Sequence, residues 1–69
     1  MKIIDANRYE FFKVTESDSK DFNVGDICMR MCDTYGDDLY FNFNQDELYS
    51  YYDVRNKQIY GVYIKAKVI

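Results

Sequence analysis

Among its 69 residues the chain has no histidine, no proline and no tryptophan, and only three glycines and two cysteines. Without histidine, the commonest general base and metal ligand near neutral pH is gone. The serines Ser17, Ser19 and Ser50 sit in no nucleophile elbow, and Gly25, Gly36 and Gly61 are too scattered to form a phosphate-binding loop. No enzyme and no cofactor are expected. No proline marks any strand as an edge. No stretch approaches a membrane span, and the start, MKIIDANRYEFF, lacks the long apolar run and cleavage site of a signal peptide. A cytoplasmic chain starting at its own Met1 is expected.

The two cysteines, Cys28 and Cys32, lie four apart. On a strand that spacing is about 13 Å, beyond disulfide reach. Two free thiols fit a reducing compartment. Nothing near them in sequence except Arg30 lowers a thiol pKa, so both read as packed side chains. The loop DTYGDDLYFNFN is rich in acids but lacks the ligand order and distal glutamate of an EF-hand, so no metal site is expected.

Leucine and alanine are also scarce: Leu39, Leu48, Ala6 and Ala66. A helical bundle is built from those residues. The apolar residues are instead β-branched or aromatic, with eight tyrosines and five phenylalanines, and these favour strands. A single domain over 1–69 is expected, stabilised by buried rings or by dimerisation, because so small a core offsets chain entropy only narrowly.

Alternation of period two predicts five strands. They are Arg8–Thr15, Asp26–Cys32, Leu39–Phe43, Leu48–Arg55 and Gln58–Val68. In the second, Ile27, Met29 and Met31 share one face and Cys28, Arg30 and Cys32 the other. In the third, Leu39, Phe41 and Phe43 oppose Tyr40 and Asn42. In the fourth, Tyr49, Tyr51 and Asp53 oppose Leu48, Tyr52 and Val54. The fifth has an apolar face of Tyr60, Val62, Ile64, Ala66 and Val68, with Gly61 at a bulge or a close backbone approach. The polar stretch Glu16–Gly25 reads as a long loop with Phe22 and Val24 tucking back. Asp33–Asp38 reads as a turn with Gly36 at positive φ. A single helical turn near 44–48, capped by Asn44, and a hairpin tip at Asn56–Lys57 complete the reading.

These elements predict an all-β fold: a small, strongly bent antiparallel sheet or a five-stranded barrel. The phrase FNVGDICMRM resembles the hydrophobic–Val–Gly–Asp entry into a strand seen in SH3-like barrels, which implies the barrel alternative. A sheet that buries one face by forming a homodimer is the competing arrangement.

Charge is unevenly distributed. Glu16–Asp53 holds ten acids against Lys20 and Arg30, a net −8, whereas the side chains of Val54–Ile69 carry +4 from Arg55, Lys57, Lys65 and Lys67. Asymmetry of this kind bears on partners rather than on fold. The acids are interleaved with tyrosines, which are favoured at interfaces. Asp33, Asp37, Asp38, Asp46, Glu47 and Asp53 are expected to stand in for phosphates, with Tyr35, Tyr40, Tyr49 and Tyr51 as anchors, against a basic groove. A solvated face that merely keeps the protein soluble is the bland alternative.

Tyr, Phe, Asn, Lys and Ile make up 30 of the 69 residues, all with AT-rich codons. In composition the chain resembles the accessory proteins of phages and mobile elements. The expected function is therefore a non-enzymatic inhibitor that occupies the nucleic-acid-binding surface of a host defence, repair or transcription protein (a restriction or CRISPR nuclease among them) by charge mimicry, without touching nucleic acid itself. The alternatives are a nucleic-acid-binding barrel that uses Arg55, Lys57, Lys65 and Lys67 with Tyr49, Tyr51 or Tyr63, and a self-associating structural phage protein. In the bland reading Lys65 and Lys67 only protect a strand edge.

Overall fold

The computed structural model describes residues 1–65. A 3-10 turn, Ile3–Asp5, precedes five strands: β1 (Phe11–Ser17), β2 (Ile27–Cys32), β3 (Asp38–Asn42), β4 (Glu47–Ser50) and β5 (Ile59–Tyr63). A one-turn helix, α1 (Tyr51–Val54), joins β4 to β5. All pairings are antiparallel, in the order β4-β3-β2-β1-β5. The sheet is open rather than closed into a barrel. Its β5 edge is partly covered, because the amino group of Met1 donates to the Gly61 carbonyl and the Gly61 amide donates back to Met1.

β1 starts later than Arg8 because Tyr9 adopts φ 65° and breaks the extended run. β4 ends at Ser50 instead of running to Arg55. Ser50 accepts from the Asp53 amide while the Asp53 carboxylate accepts from the Ser50 amide, a capping box that starts a helix there. The helical turn thus lies at 51–54, not near 44–48. Asn44 does not cap it; its side chain accepts from the Ile27 amide. Asn56 and Lys57 follow the helix and form no hairpin tip. Of the expected fifth strand, residues 66–68 lie outside the described residues.

The turn before β3 takes Gly36 at φ 84°. Gly61 is a close approach: a Cβ there would lie 2.7 Å from the Lys13 carbonyl oxygen. The bulge itself falls on β1, between Val14 and Glu16.

Register sorts the side chains into two faces. Phe12 pairs with Cys28, Cys28 with Asn42, and Arg30 with Tyr40. This inner face is covered by Ile3 and Ala6, by Phe22 from the β1–β2 connection and by Val54 of α1, and it joins Val14 and Ile59 in the core. Each of the larger apolar side chains removed from water there contributes about 1.5–3 kcal/mol. Phe22 does tuck back, but Val24 remains 67% exposed. Among the described residues Arg30 Nε is the one buried side-chain N or O atom on this face without a hydrogen-bond partner. Tyr40 donates to the Ile4 carbonyl, and Asn42 donates to Asp26 and to the Asp21 carbonyl. Burial works to raise the Asp26 pKa, but the hydrogen bonds from Asn42, the Asn23 amide and Gln45 outweigh it and hold the carboxyl below its usual value.

The outer face is the more apolar one. Phe11 pairs with Met29, Met29 with Phe41 and Phe41 with Leu48, while Met31 pairs with Leu39. Nothing among the described residues covers it.

Candidate functional site

One cleft of about 470 Å³ lies where the β2–β3 turn meets α1, lined by Asp33, Gly36, Asp37, Asp38, Leu39, Ser50, Tyr51 and Tyr52. Local hydrogen bonding shapes it. Asp33 Oδ1 accepts from the amides of Tyr35 (2.8 Å) and Asp37 (2.9 Å), folding the turn around its own carboxylate. The capping box at Ser50 turns the chain out of β4, so Tyr51 and Tyr52 come as neighbours on a helix rather than on opposite faces of a strand. Their rings meet edge to face with centroids 5.8 Å apart.

The three carboxylates differ. Asp38 is bound by two arginines: Arg30 Nη2 at 2.6 Å and Arg8 Nη2 at 2.9 Å. The hydrogen-bonded Arg30 guanidinium is the main cause of its lowered pKa; burial opposes and Arg8 adds. Arg8 also donates to the Gly36 carbonyl, tying the segment before β1 to this turn. Asp33 is half committed to backbone amides. The exposed Asp37 carboxylate has no hydrogen bond or ion pair among the described residues. Arg55 lies 5.0 Å over the centroid of the Tyr52 ring, so one face of that ring already holds a guanidinium.

The expected site residues therefore fall into separate groups. Asp33, Asp37, Asp38 and Tyr51 are brought together in the cleft, and Tyr35 projects from the same turn at 89% exposure. Asp53 stands in α1, where its carboxylate is engaged in the cap. Asp46 and Glu47 lie at the opposite end of the β3–β4 ladder, since Asn42 pairs with Glu47 there while Leu39 pairs with Ser50 here. Tyr49 turns to the inner side, its ring 5.0 Å from Phe22. Tyr40 cannot be an anchor on this surface: it is fully buried, and burial is the first cause pushing its hydroxyl up to about 12. Alternation placed Tyr40 opposite Phe41 correctly; what it did not reveal is that the face carrying Tyr40 and Asn42 is the one that gets covered. Tyr52 and Ser50 were missed because 48–55 reads as one strand. The signal that finds them is Ser50 followed three residues later by Asp53, a helix-start pattern with aspartate in place of the usual glutamate.

The thiols are separate as well. Cys28 is buried under the sheet, and burial, then the nearby Asp26 charge, pushes it up to about 12. Cys32 is partly exposed and lies 3.0 Å from the Tyr9 hydroxyl. The basic residues do not gather: Arg55 lies over Tyr52, Lys57 follows α1, Lys65 follows β5, and Lys67 lies outside the described residues. Among the described residues no group of three or more potential metal ligands is assembled, and no helix is long and apolar enough to cross a membrane.

No known protein family, curated protein or solved structure matches this chain.

Proposed function

We propose that this protein is a non-enzymatic protein-binding module whose cleft receives an arginine or lysine side chain from a basic partner surface. The observation that carries the reading is the free Asp37 carboxylate set in one cleft with the rings of Tyr51 and Tyr52. A carboxylate beside aromatic faces suits a guanidinium, which gains a charge-assisted hydrogen bond and a cation–π contact together. Tyr35 on the exposed turn adds an aromatic contact at the rim. Because Asp38 is already neutralised by two arginines, the acidic contribution centres on Asp33 and Asp37 and not on a continuous negative sheet.

The partner class that best fits is a protein whose basic groove handles nucleic acid, with this chain as an inhibitor that occupies the groove. A phage or mobile-element origin and a role in the host cytoplasm, where Cys28 and Cys32 remain thiols, belong to the same proposal. Support for that origin is compositional.

Amide chemical shifts of the labelled protein, titrated with a short arginine-containing peptide at low salt, test the reading. Shifts should concentrate in Asp33–Leu39 and Ser50–Tyr52, weaken in 300 mM salt and largely vanish in Asp37→Asn. Shifts spread over the sheet, or unchanged in Asp37→Asn, refute it.

A further inference from the structure

The two edges of the sheet are not alike. β5 is guarded by the chain itself: Met1 exchanges two hydrogen bonds with Gly61, and Lys2 makes an antiparallel bridge with Tyr60. β4, at the other edge, is paired on one side only, with β3. Two observations fix which of its backbone groups face outward. The Phe43 amide bonds to the Ile27 carbonyl, so Leu39, Phe41 and Phe43 direct their backbone groups to β2, while Tyr40 and Asn42 direct theirs to β4. Their partners Tyr49 and Glu47 therefore make the bonds of the β3–β4 ladder. The Ser50 amide accordingly turns away from β3 and donates to the Asp53 carboxylate. Leu48 points its N–H and C=O the same way, and among the described residues no hydrogen bond reaches either from the open side. Its side chain is 51% exposed. β4 also lacks proline, lysine and arginine, the residues with which natural proteins protect an edge.

We propose that this edge receives an extended basic segment of a partner protein, added as an antiparallel strand opposite Leu48. The inference rests on the cleft reading above and extends it, because β4 ends at Ser50, a residue that lines the cleft. The segment's residue opposite Leu48 exchanges both backbone bonds with it and lays an apolar side chain on the outer face, beside Leu48 and its partner Phe41. Charge selects the flanking residues. Glu47 is exposed, shares the inner face with its partner Asn42, and has no hydrogen bond or ion pair among the described residues. Lys20, whose carbonyl accepts from Gln45 in the neighbouring turn, pairs with neither Asp46 nor Glu47. At the Ser50 end stands the free Asp37 carboxylate. The two ends of β4 are about 10 Å apart. An antiparallel segment passes Ser50 first, so its arginine enters the cleft, the apolar residue follows opposite Leu48, and a lysine comes next, opposite Glu47. The sequence Arg-x-Val-Lys meets all three. A second copy is the wrong occupant. Pairing β4 with β4 about Leu48 carries Asp46 and Glu47 of one copy toward Asp33 and Asp37 of the other, and like charges repel. The pairing is short, since Asp46 at φ 55° leaves the strand at one end and the Ser50 amide is committed to Asp53 at the other. The backbone bonds at Leu48 are therefore a large share of the binding, and the cleft arginine supplies most of the rest.

Amide spectra of the labelled full chain at low salt test this, with three probes: acetyl-arginine-amide, the peptide acetyl-Ser-Arg-Thr-Val-Lys-Ser-amide, and the same peptide N-methylated at valine. N-methylation blocks the N–H aimed at the Leu48 carbonyl. Acetyl-arginine-amide should shift the cleft residues alone. The unmethylated peptide should shift the cleft and the Leu48 amide together and slow hydrogen exchange at Leu48. The methylated peptide should bind about fivefold more weakly or worse, the equivalent of one lost hydrogen bond. Glu47→Lys, at an exposed position, should weaken the unmethylated peptide by about threefold or more and leave acetyl-arginine-amide unaffected. Cleft shifts with an unprotected Leu48 amide, or equal affinity for the two peptides, overturn the edge pairing and leave the cleft reading standing. Protection at Leu48 without cleft shifts overturns the cleft reading and the register built on it. A Leu48 amide that shifts with protein concentration alone gives the edge to a second copy and overturns the proposal.

Discussion

Replacing Asn42 probes the point on which the inner face depends. Asn42 is fully buried, and all four of its hydrogen-bonding positions are used. Its amide nitrogen donates to the Asp21 carbonyl at 2.9 Å and to Asp26 Oδ2 at 2.8 Å, and its oxygen accepts from the amides of Asn44 and Gln45 at 3.1 and 3.3 Å. Asn42→Leu keeps the branching and heavy-atom count and removes all four. One bond to a carboxylate is worth about 1.5–3 kcal/mol and each neutral one about 1 kcal/mol. The buried leucine returns about 2 kcal/mol. The net loss is about 3 kcal/mol, which for a domain of this size lowers Tm by about 12–24 °C.

Asn42→Asp adds a sign test. In the wild type the Asp26 pKa is lowered on folding. Its contribution to stability is therefore present above the unfolded value of about 3.9 and lost as pH falls through the folded value. In Asn42→Asp two carboxyls share the site, and one is held protonated with a raised pKa. That variant loses stability as pH rises through the raised value, so its deficit against wild type should be greatest at pH 7 and shrink on acidification. Thermal and urea melts followed by far-UV circular dichroism between pH 4 and 7 measure both. A Tm drop below about 4 °C for Asn42→Leu, or parallel pH profiles for Asn42→Asp and wild type, would refute the reasoning.

Two further outcomes are expected. Gly61→Ala should destabilise by about 1–3 kcal/mol in the same melts, because its Cβ meets the Lys13 carbonyl oxygen at 2.7 Å and backbone must move; a neutral effect would show that β1 and β5 are not so close. A thiol reagent at pH 8 should modify Cys32 in the native protein and Cys28 only on unfolding, since burial pushes Cys28 up to about 12; two equally fast native phases would contradict the packing.

How much could be read from the sequence varied along the chain. In β2 and β3 the odd–even alternation was legible, and the register keeps it: Ile27, Met29 and Met31 on one side, Cys28 and Arg30 on the other. The turn at Asp33–Asp38 was legible from Gly36, because glycine, lacking Cβ, takes a positive φ without steric cost. Residues 51–55 were misread as a continuation of the strand because every tyrosine and valine there favours one. The Ser50–Asp53 cap, a local hydrogen-bond pattern, overrode that propensity. The cleft was half legible. Asp33, Asp37 and Asp38 follow from the turn, but Tyr52 comes beside them only through the helix, and the partners that neutralise Asp38 lie 30 and 8 residues away.

The amino-acid order by itself determined the β character, the periodicity of each strand and the turn chemistry, since these depend on neighbours within a few residues. Which face became the core was decided only by tertiary structure. Hydropathy alone favours burying Ile27, Met29, Leu39 and Phe41, yet the covering elements, Ile3, Ala6, Phe22 and Val54, arrive on the side of Cys28, Tyr40 and Asn42. That choice rests on chain connectivity and on long-range hydrogen bonds such as Tyr40 to Ile4 and Asn42 to Asp26, whose partners no local pattern specifies.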